Sequence, residues 1–223
     1  ARLVTWALWL NRNSITDAGV TAVAEALPVA PLLRLYLGGN KISCAGAAAL
    51  ARRLAGSKLK TLGLRENQIG DQGVCELAGA LRGATELKTL DVAENDFGLD
   101  GVQDLAGALK ESSLLVLSLD NNGIGDLGAR EIAMGLKGSQ LAKLFLRVNR
   151  VSDKGAVLIA GALKDSKLQN LYIRDNKIGN DGAAAFAKSL EGSSLTLLGL
   201  MRNCIGDVGA LALADGLLGS SLQ

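Results

Sequence analysis

Residues Leu59–Leu81 read LKTLGLRENQIGDQGVCELAGAL, and their periodicity changes halfway along. From Leu62 to Leu64 apolar and other residues alternate with period two, which predicts a short strand with its leucines facing inward. Beyond Asn67 the spacing becomes helical. Leu77 and Leu81 lie four apart with Ala78 beside them, an apolar stripe on one helix face. Asn67, Ile69 and Gly73 stand between the two halves. The same unit recurs along the whole chain, with its asparagine at Asn13, Asn40, Asn67, Asn95, Asn122, Asn149, Asn176 and Asn203. Six of the intervals are 27 residues and one is 28. A fixed period in this range predicts a solenoid, because each unit can bury its apolar face only by stacking on its neighbours.

Other positions keep the same register. The inward strand pair returns as Leu35/Leu37, Leu90/Val92, Leu117/Leu119, Leu144/Leu146, Leu171/Ile173 and Leu198/Leu200. Two residues after each asparagine comes an apolar residue, Ile15, Ile42, Ile69, Phe97, Ile124, Val151, Ile178 or Ile205. Four residues later every unit has glycine, from Gly19 to Gly209, which predicts tight backbone geometry or a close approach where the helix begins. Gly56, Gly83, Gly138, Gly192 and Gly219 follow the last helical leucine by two residues and suit left-handed helix caps.

Composition narrows the function. The chain has 223 residues, 48% hydrophobic, with a net charge of +2 from 24 basic and 22 acidic side chains. Such a balance points to neither nucleic acid nor an anionic membrane. No apolar run approaches the ~20 residues that cross a bilayer. With no histidine in the chain, a Ser-His-Asp triad, a Cys-His pair and a His-ligated metal are all excluded. The expectation is a protein that is not an enzyme and holds neither cofactor nor metal. Cys44, Cys75 and Cys204 occupy different positions in their units, so they form neither a disulfide framework nor a metal cluster. Free thiols suit a reducing compartment, so a cytoplasmic or nuclear location is expected.

The frame L-x-x-L-x-L-x-x-N-x-I-x-x-x-G-(A/V)-x-x-L-A-x-x-L resembles the leucine-rich repeat of the ribonuclease-inhibitor type over essentially the whole chain. Ribonuclease inhibitor, Ran GTPase-activating protein and the sensor halves of NOD-like receptors share that subtype. The resemblance implies an α/β horseshoe of eight repeats, with parallel strands on the concave face and helices on the convex face. It also implies that the eight asparagines bond to neighbouring backbone as a ladder between coils. Residues 1–223 are then one leucine-rich repeat domain. Ala1 falls where a preceding helix would finish and Leu222 matches the first leucine of a ninth strand, so the chain is expected to be a fragment of a longer array.

Two motifs resolve into repeat grammar. Gly123, Gly125 and Gly128 spell G-x-G-x-x-G, but Gly128 is the glycine of every unit and Gly125 shares its position with Gly70, Gly179 and Gly206. Asp120, Asn122, Gly125 and Glu131 mimic part of a calcium loop, with Ile124 at a ligand position.

Function is expected on strand residues that point away from the core, six, four, two and one before each asparagine. Four before, the chain reads Trp9, Tyr36, Gly63, Asp91, Ser118, Phe145, Tyr172 and Gly199, so four of its seven aromatics share one row. These look like interface anchors rather than filler; the alternative is cross-strand packing with no partner. Arg12, Arg34 and Arg65 lie toward one end, and Lys143, Arg147, Arg174 and Arg202 toward the other. Glu66, Asp91, Glu94 and Asp120 sit between them. That alternation favours a protein partner of complementary charge over a uniform polyanion such as nucleic acid. The resemblance implies a non-catalytic recognition module of an intracellular receptor or scaffold, similar to NOD-like receptor repeats. The alternative it implies is a GTPase activator acting through an exposed arginine, with Arg12, Arg65, Arg147, Arg174 and Arg202 in the right neighbourhood.

Overall fold

A computed structural model describes residues 6–83 and 86–218. The strands are β1 (Trp6–Trp9), β2 (Leu32–Tyr36), β3 (Thr61–Gly63), β4 (Thr89–Asp91), β5 (Val116–Ser118), β6 (Lys143–Phe145), β7 (Asn170–Tyr172) and β8 (Leu197–Gly199). They alternate with α1 (Asp17–Ala26), α2 (Cys44–Leu54), α3 (Gly70–Leu81), α4 (Leu99–Ala108), α5 (Gly125–Leu136), α6 (Asp153–Ala162), α7 (Asn180–Leu190) and α8 (Asp207–Leu217). All eight strands are parallel in one open sheet ordered β1 to β8. This is the α/β solenoid that the period predicts. Because each strand pairs with the next in the same phase, one residue per unit forms a row across the sheet: Trp9, Tyr36, Gly63, Asp91, Ser118, Phe145, Tyr172, Gly199.

The core lies between sheet and helices. Inward pairs from Leu35/Leu37 to Leu171/Ile173 are fully buried, as are Phe97 and Phe186 at core positions. Each internal ladder asparagine ties two coils together. Asn40 Nδ2 donates to Leu10 O (2.9 Å) and Leu37 O (2.8 Å), while its Oδ1 accepts from Ile15 N (3.0 Å). Asn67, Asn95, Asn122, Asn149, Asn176 and Asn203 also reach back to the preceding coil. Among the described residues, Asn13 bonds only within its own turn. The residue before each asparagine is left-handed, φ +52 to +68°, and only unit 2 uses glycine there, Gly39. Elsewhere an L-residue is held at a cost of about 1–2 kcal/mol, which the asparagine's bonds offset.

The recurring glycine serves close approach. A Cβ on Gly46 would lie 2.7 Å from both Ile42 Cγ2 and Val20 Cγ1. Helix ends differ in part from expectation. Gly56, Gly138 and Gly192 are left-handed caps, but Gly83 is not. Gly83 stands at the start of the one lengthened connection, and its N–H bonds back to Ala80 O (3.1 Å). Gly219 lies outside the described residues, as do Ala1 and Leu222. Where no glycine stands, α4 and α6 run on into 3-10 turns at Leu109–Glu111 and Leu163–Asp165.

A second ladder, four residues after the first, caps each next helix. Asp17 Oδ1 accepts from Ser43 N (2.8 Å) and Gly46 N (3.0 Å), and its Oδ2 accepts from Ser43 Oγ (2.6 Å). Asp71, Asp126, Asp153 and Asn180 do the same for α4, α6, α7 and α8. Burial raises the Asp17 and Asp126 pKa values. Their serine side-chain and backbone hydrogen bonds outweigh that and hold both carboxylates below the ordinary value. Cys44 and Leu99 interrupt this ladder. The helices they would cap, α3 and α5, begin without a side-chain cap at Gly70 and Gly125, which have φ of +61° and +65°. Gly70→Ser alone is therefore expected to destabilise by about 1 kcal/mol. Adding Cys44→Asp supplies the missing carboxylate and should recover that loss, with a favourable coupling of about 1 kcal/mol. A urea double-mutant cycle measures it, and additive effects would refute a one-repeat-back control of the helix start.

Candidate recognition face

Away from the helices, the sheet presents the residues six, four, two and one before each ladder asparagine. Both aromatic pairs in the central row are stacked. Trp9 and Tyr36 have ring centroids 4.0 Å apart at 19°, and Phe145 and Tyr172 4.5 Å apart at 3°. In-register parallel strands bring these side chains side by side, so the cross-strand packing foreseen as one alternative is present. The rings also remain accessible. Trp9 is 65% exposed, and Tyr36, Phe145 and Tyr172 are half-buried. Each pair ends on a glycine one strand further, Gly63 and Gly199. A Cβ at position 63 would lie 3.0 Å from Tyr36 Cδ1, so the ring leans over bare backbone.

The charges are organised more closely than their sequence positions suggest. Arg65 pairs with Glu94. Arg147 donates its N–H to Asp120 Oδ1 (2.7 Å), and its Nε lies 3.4 Å from Asp120 Oδ2. Asp175 is shared by Arg174 (3.4 Å) and Arg202 (3.5 Å). Asp120 is only 3% exposed, which makes it an internal brace for Arg147 and corrects its assignment as a surface contact. Burial pushes its pKa above the ordinary carboxylate value. The N–H of Arg147 and the charges of Arg147 and Arg65 oppose that rise, and the charge of Asp91 adds to it. Asp91 Oδ1 accepts from Ala93 N at 3.1 Å and stays half-buried on the face. Arg12, Arg34 and Lys143 have no carboxylate in ion-pair range among the described residues. Of the five arginines that GTPase activation would draw on, Arg65, Arg147, Arg174 and Arg202 are thus engaged with carboxylates, and Arg12 alone is not.

Near the first pair, Arg12, Tyr36, Gly38, Gly39, Gly63 and Asp91 line part of a shallow hollow of about 270 Å³. It exists because three glycines leave its floor without side chains. Among the described residues no cluster of side chains suits a metal ion, and no helix is long and apolar enough to cross a membrane. Of the G-x-G-x-x-G string, Gly123 lies in the β5–α5 turn, Gly125 opens α5 and Gly128 lies within it, with Gly123 and Gly125 left-handed and Ile124 buried in the core.

A family model described as "Leucine Rich repeat" matches residues 57–78, 84–106, 111–133, 164–187 and 193–214, together just over half of the chain. No curated protein matches. Among solved structures, leiomodin-1 actin-binding site 2 is similar with TM-score 0.51 and 19% identity. That match covers 66% of this chain and 88% of the other. A chain from the yeast Rad7 and Elc1 complex is similar with TM-score 0.52 and 14% identity, over 87% of this chain. This chain spans only 54% of the length of that one. At these identities the likeness is one of fold.

Proposed function

This chain belongs to the leucine-rich repeat family, and from that premise we propose that it is a non-catalytic module of an intracellular receptor or scaffold that recognises a protein on the open face of its sheet. The observation that carries the reading is the pair of aromatic stacks. A chain with seven aromatics places four in one accessible row, near both ends of a platform of in-register parallel strands. Preformed aromatic surface is the usual source of binding energy in protein interfaces, since little side-chain entropy is lost on docking. Two structures that share the fold are titled as an actin-binding site and as a complex of two proteins, which accords with an interaction role.

Trp9→Ala/Tyr36→Ala and Phe145→Ala/Tyr172→Ala are expected to weaken partner binding at least tenfold each, with the solenoid still folded. Quantitative affinity capture with both double variants and an Arg130→Ala control on exposed α5 surface measures this. An identical set of retained proteins for wild type and both double variants would move the interface off the sheet.

A further inference from the structure

The strand-plus-turn segments form three blocks of charge. Residues 7–15 and 34–42 carry Arg12, Arg34 and Lys41 and no carboxylate. Residues 61–69, 89–97 and 116–124 carry five carboxylates and one cation, Arg65. Residues 143–151, 170–178 and 197–205 carry six cations, Lys143, Arg147, Arg150, Arg174, Lys177 and Arg202, against Asp175 alone. The net charge of +2 conceals this segregation. Within the last block Lys143, Arg150 and Lys177 are exposed and have no ion pair among the described residues, and Arg174 and Arg202 share one carboxylate. The same block holds the Phe145–Tyr172 stack together with exposed Val148 and Met201. Exposed apolar surface in a block with three unpaired cations is chemically matched to one kind of occupant.

We propose that the sheet face of units 6–8, built on Phe145, Tyr172, Val148 and Met201 and flanked by Lys143, Arg150 and Lys177, docks an acidic protein segment through one or two apolar anchors. This rests on the recognition reading above and narrows it to one half of the face. The cations would draw the segment in and meet its carboxylates, while the rings and Met201 receive its anchors. The carboxylates of units 3–5 that no cation neutralises among the described residues, Glu66, Asp91 and Asp96, repel an extension of the acidic segment and so fix where it stops. Nucleic acid fits less well. The basic block is three strands wide, roughly 10 Å at the ordinary strand spacing, and Asp175 sits within it, whereas a phosphate backbone needs a longer unbroken cationic track. The rings of Phe145 and Tyr172 are already in contact, leaving no gap between them for a base.

The probe is a short fluorescein-labelled peptide of glutamates around a central Leu-Tyr pair, titrated into the whole chain by fluorescence anisotropy. Saturable binding is expected, weakening about tenfold between roughly 50 and 200 mM salt. Lys143→Glu/Lys177→Glu and Phe145→Ala/Tyr172→Ala should each weaken it at least tenfold, and Arg12→Glu/Arg34→Glu less than twofold. A glutamine-for-glutamate peptide that binds equally well would overturn the acidic partner. A single-stranded oligothymidine that binds more tightly would replace it with a nucleic acid. Equal losses for the two charge-reversed pairs would overturn the placement on units 6–8. If the lysine variants lose binding while Phe145→Ala/Tyr172→Ala does not, the electrostatic site stands and the aromatic recognition reading fails.

Discussion

Replacing Asn149 by alanine is expected to lower stability by about 3 kcal/mol, whereas the same change at Asn13 should cost no more than about 0.5 kcal/mol. Asn149 is fully buried, and its Nδ2 donates to Leu119 O (2.9 Å) and Arg147 O (3.0 Å). Its Oδ1 accepts from Asn122 N at 3.1 Å. Truncation strands these backbone groups where water does not reach them, at about 1–3 kcal/mol for each group left without a partner. It also releases the left-handed Val148 from the turn that holds it. Asn13 is exposed and among the described residues bonds only to Leu10 O and Asn11 O, so water can substitute. Urea denaturation of the two variants measures the contrast, and equal losses would show that the ladder's worth is local to each turn and owes nothing to the coil before it.

The second large effect concerns helix spacing. A Cβ on Gly135 in α5 would stand 2.5 Å from Ala106 O and 3.0 Å from Ala106 C and Cα in α4. Those are backbone atoms, so no rotamer change relieves the clash and the helices must part. Gly135→Ala is expected to destabilise by about 1–3 kcal/mol. Gly161 in α6 faces open space at an ordinary helical φ. Gly161→Ala should therefore stabilise by about 0.5–1 kcal/mol, by narrowing the unfolded ensemble. Thermal melts of the two variants should shift in opposite directions, and a shared sign would refute the close-packed seam between helices. Gly216 and Ala187 O, 2.6 Å apart by the same construction, repeat the arrangement in α8 and α7.

Much of this could be read along the chain. The asparagine period, the alternating leucines and the helical stripes led to the sheet, the helices and the core, because a solenoid stacks each position on its own counterpart one unit away. The aspartate ladder was equally open to reading. Asp17, Asp71, Asp126, Asp153 and Asn180 keep the same phase, and the two positive-φ glycines at helix starts, Gly70 and Gly125, follow the two gaps at Cys44 and Leu99. Its role is hidden in the sequence because aspartate near a helix start suggests a cap for its own helix, and here it caps the next one.

The charged residues on the sheet face are the opposite case. Their rows and their grouping along the face follow from periodicity alone, since one residue per unit must share a row. Which of them remain available depends on side chains that meet in space, about one unit apart in the chain for every pair but Arg174–Asp175, which are neighbours in sequence. Arg65 is taken by Glu94, Arg147 by the buried Asp120, and Arg174 and Arg202 by Asp175, while Arg12, Arg34 and Lys143 have no ion pair among the described residues. Repetition determines position because backbone pairing sets it unit by unit. Availability is determined by rotamers and desolvation, which exist only once the coils are stacked.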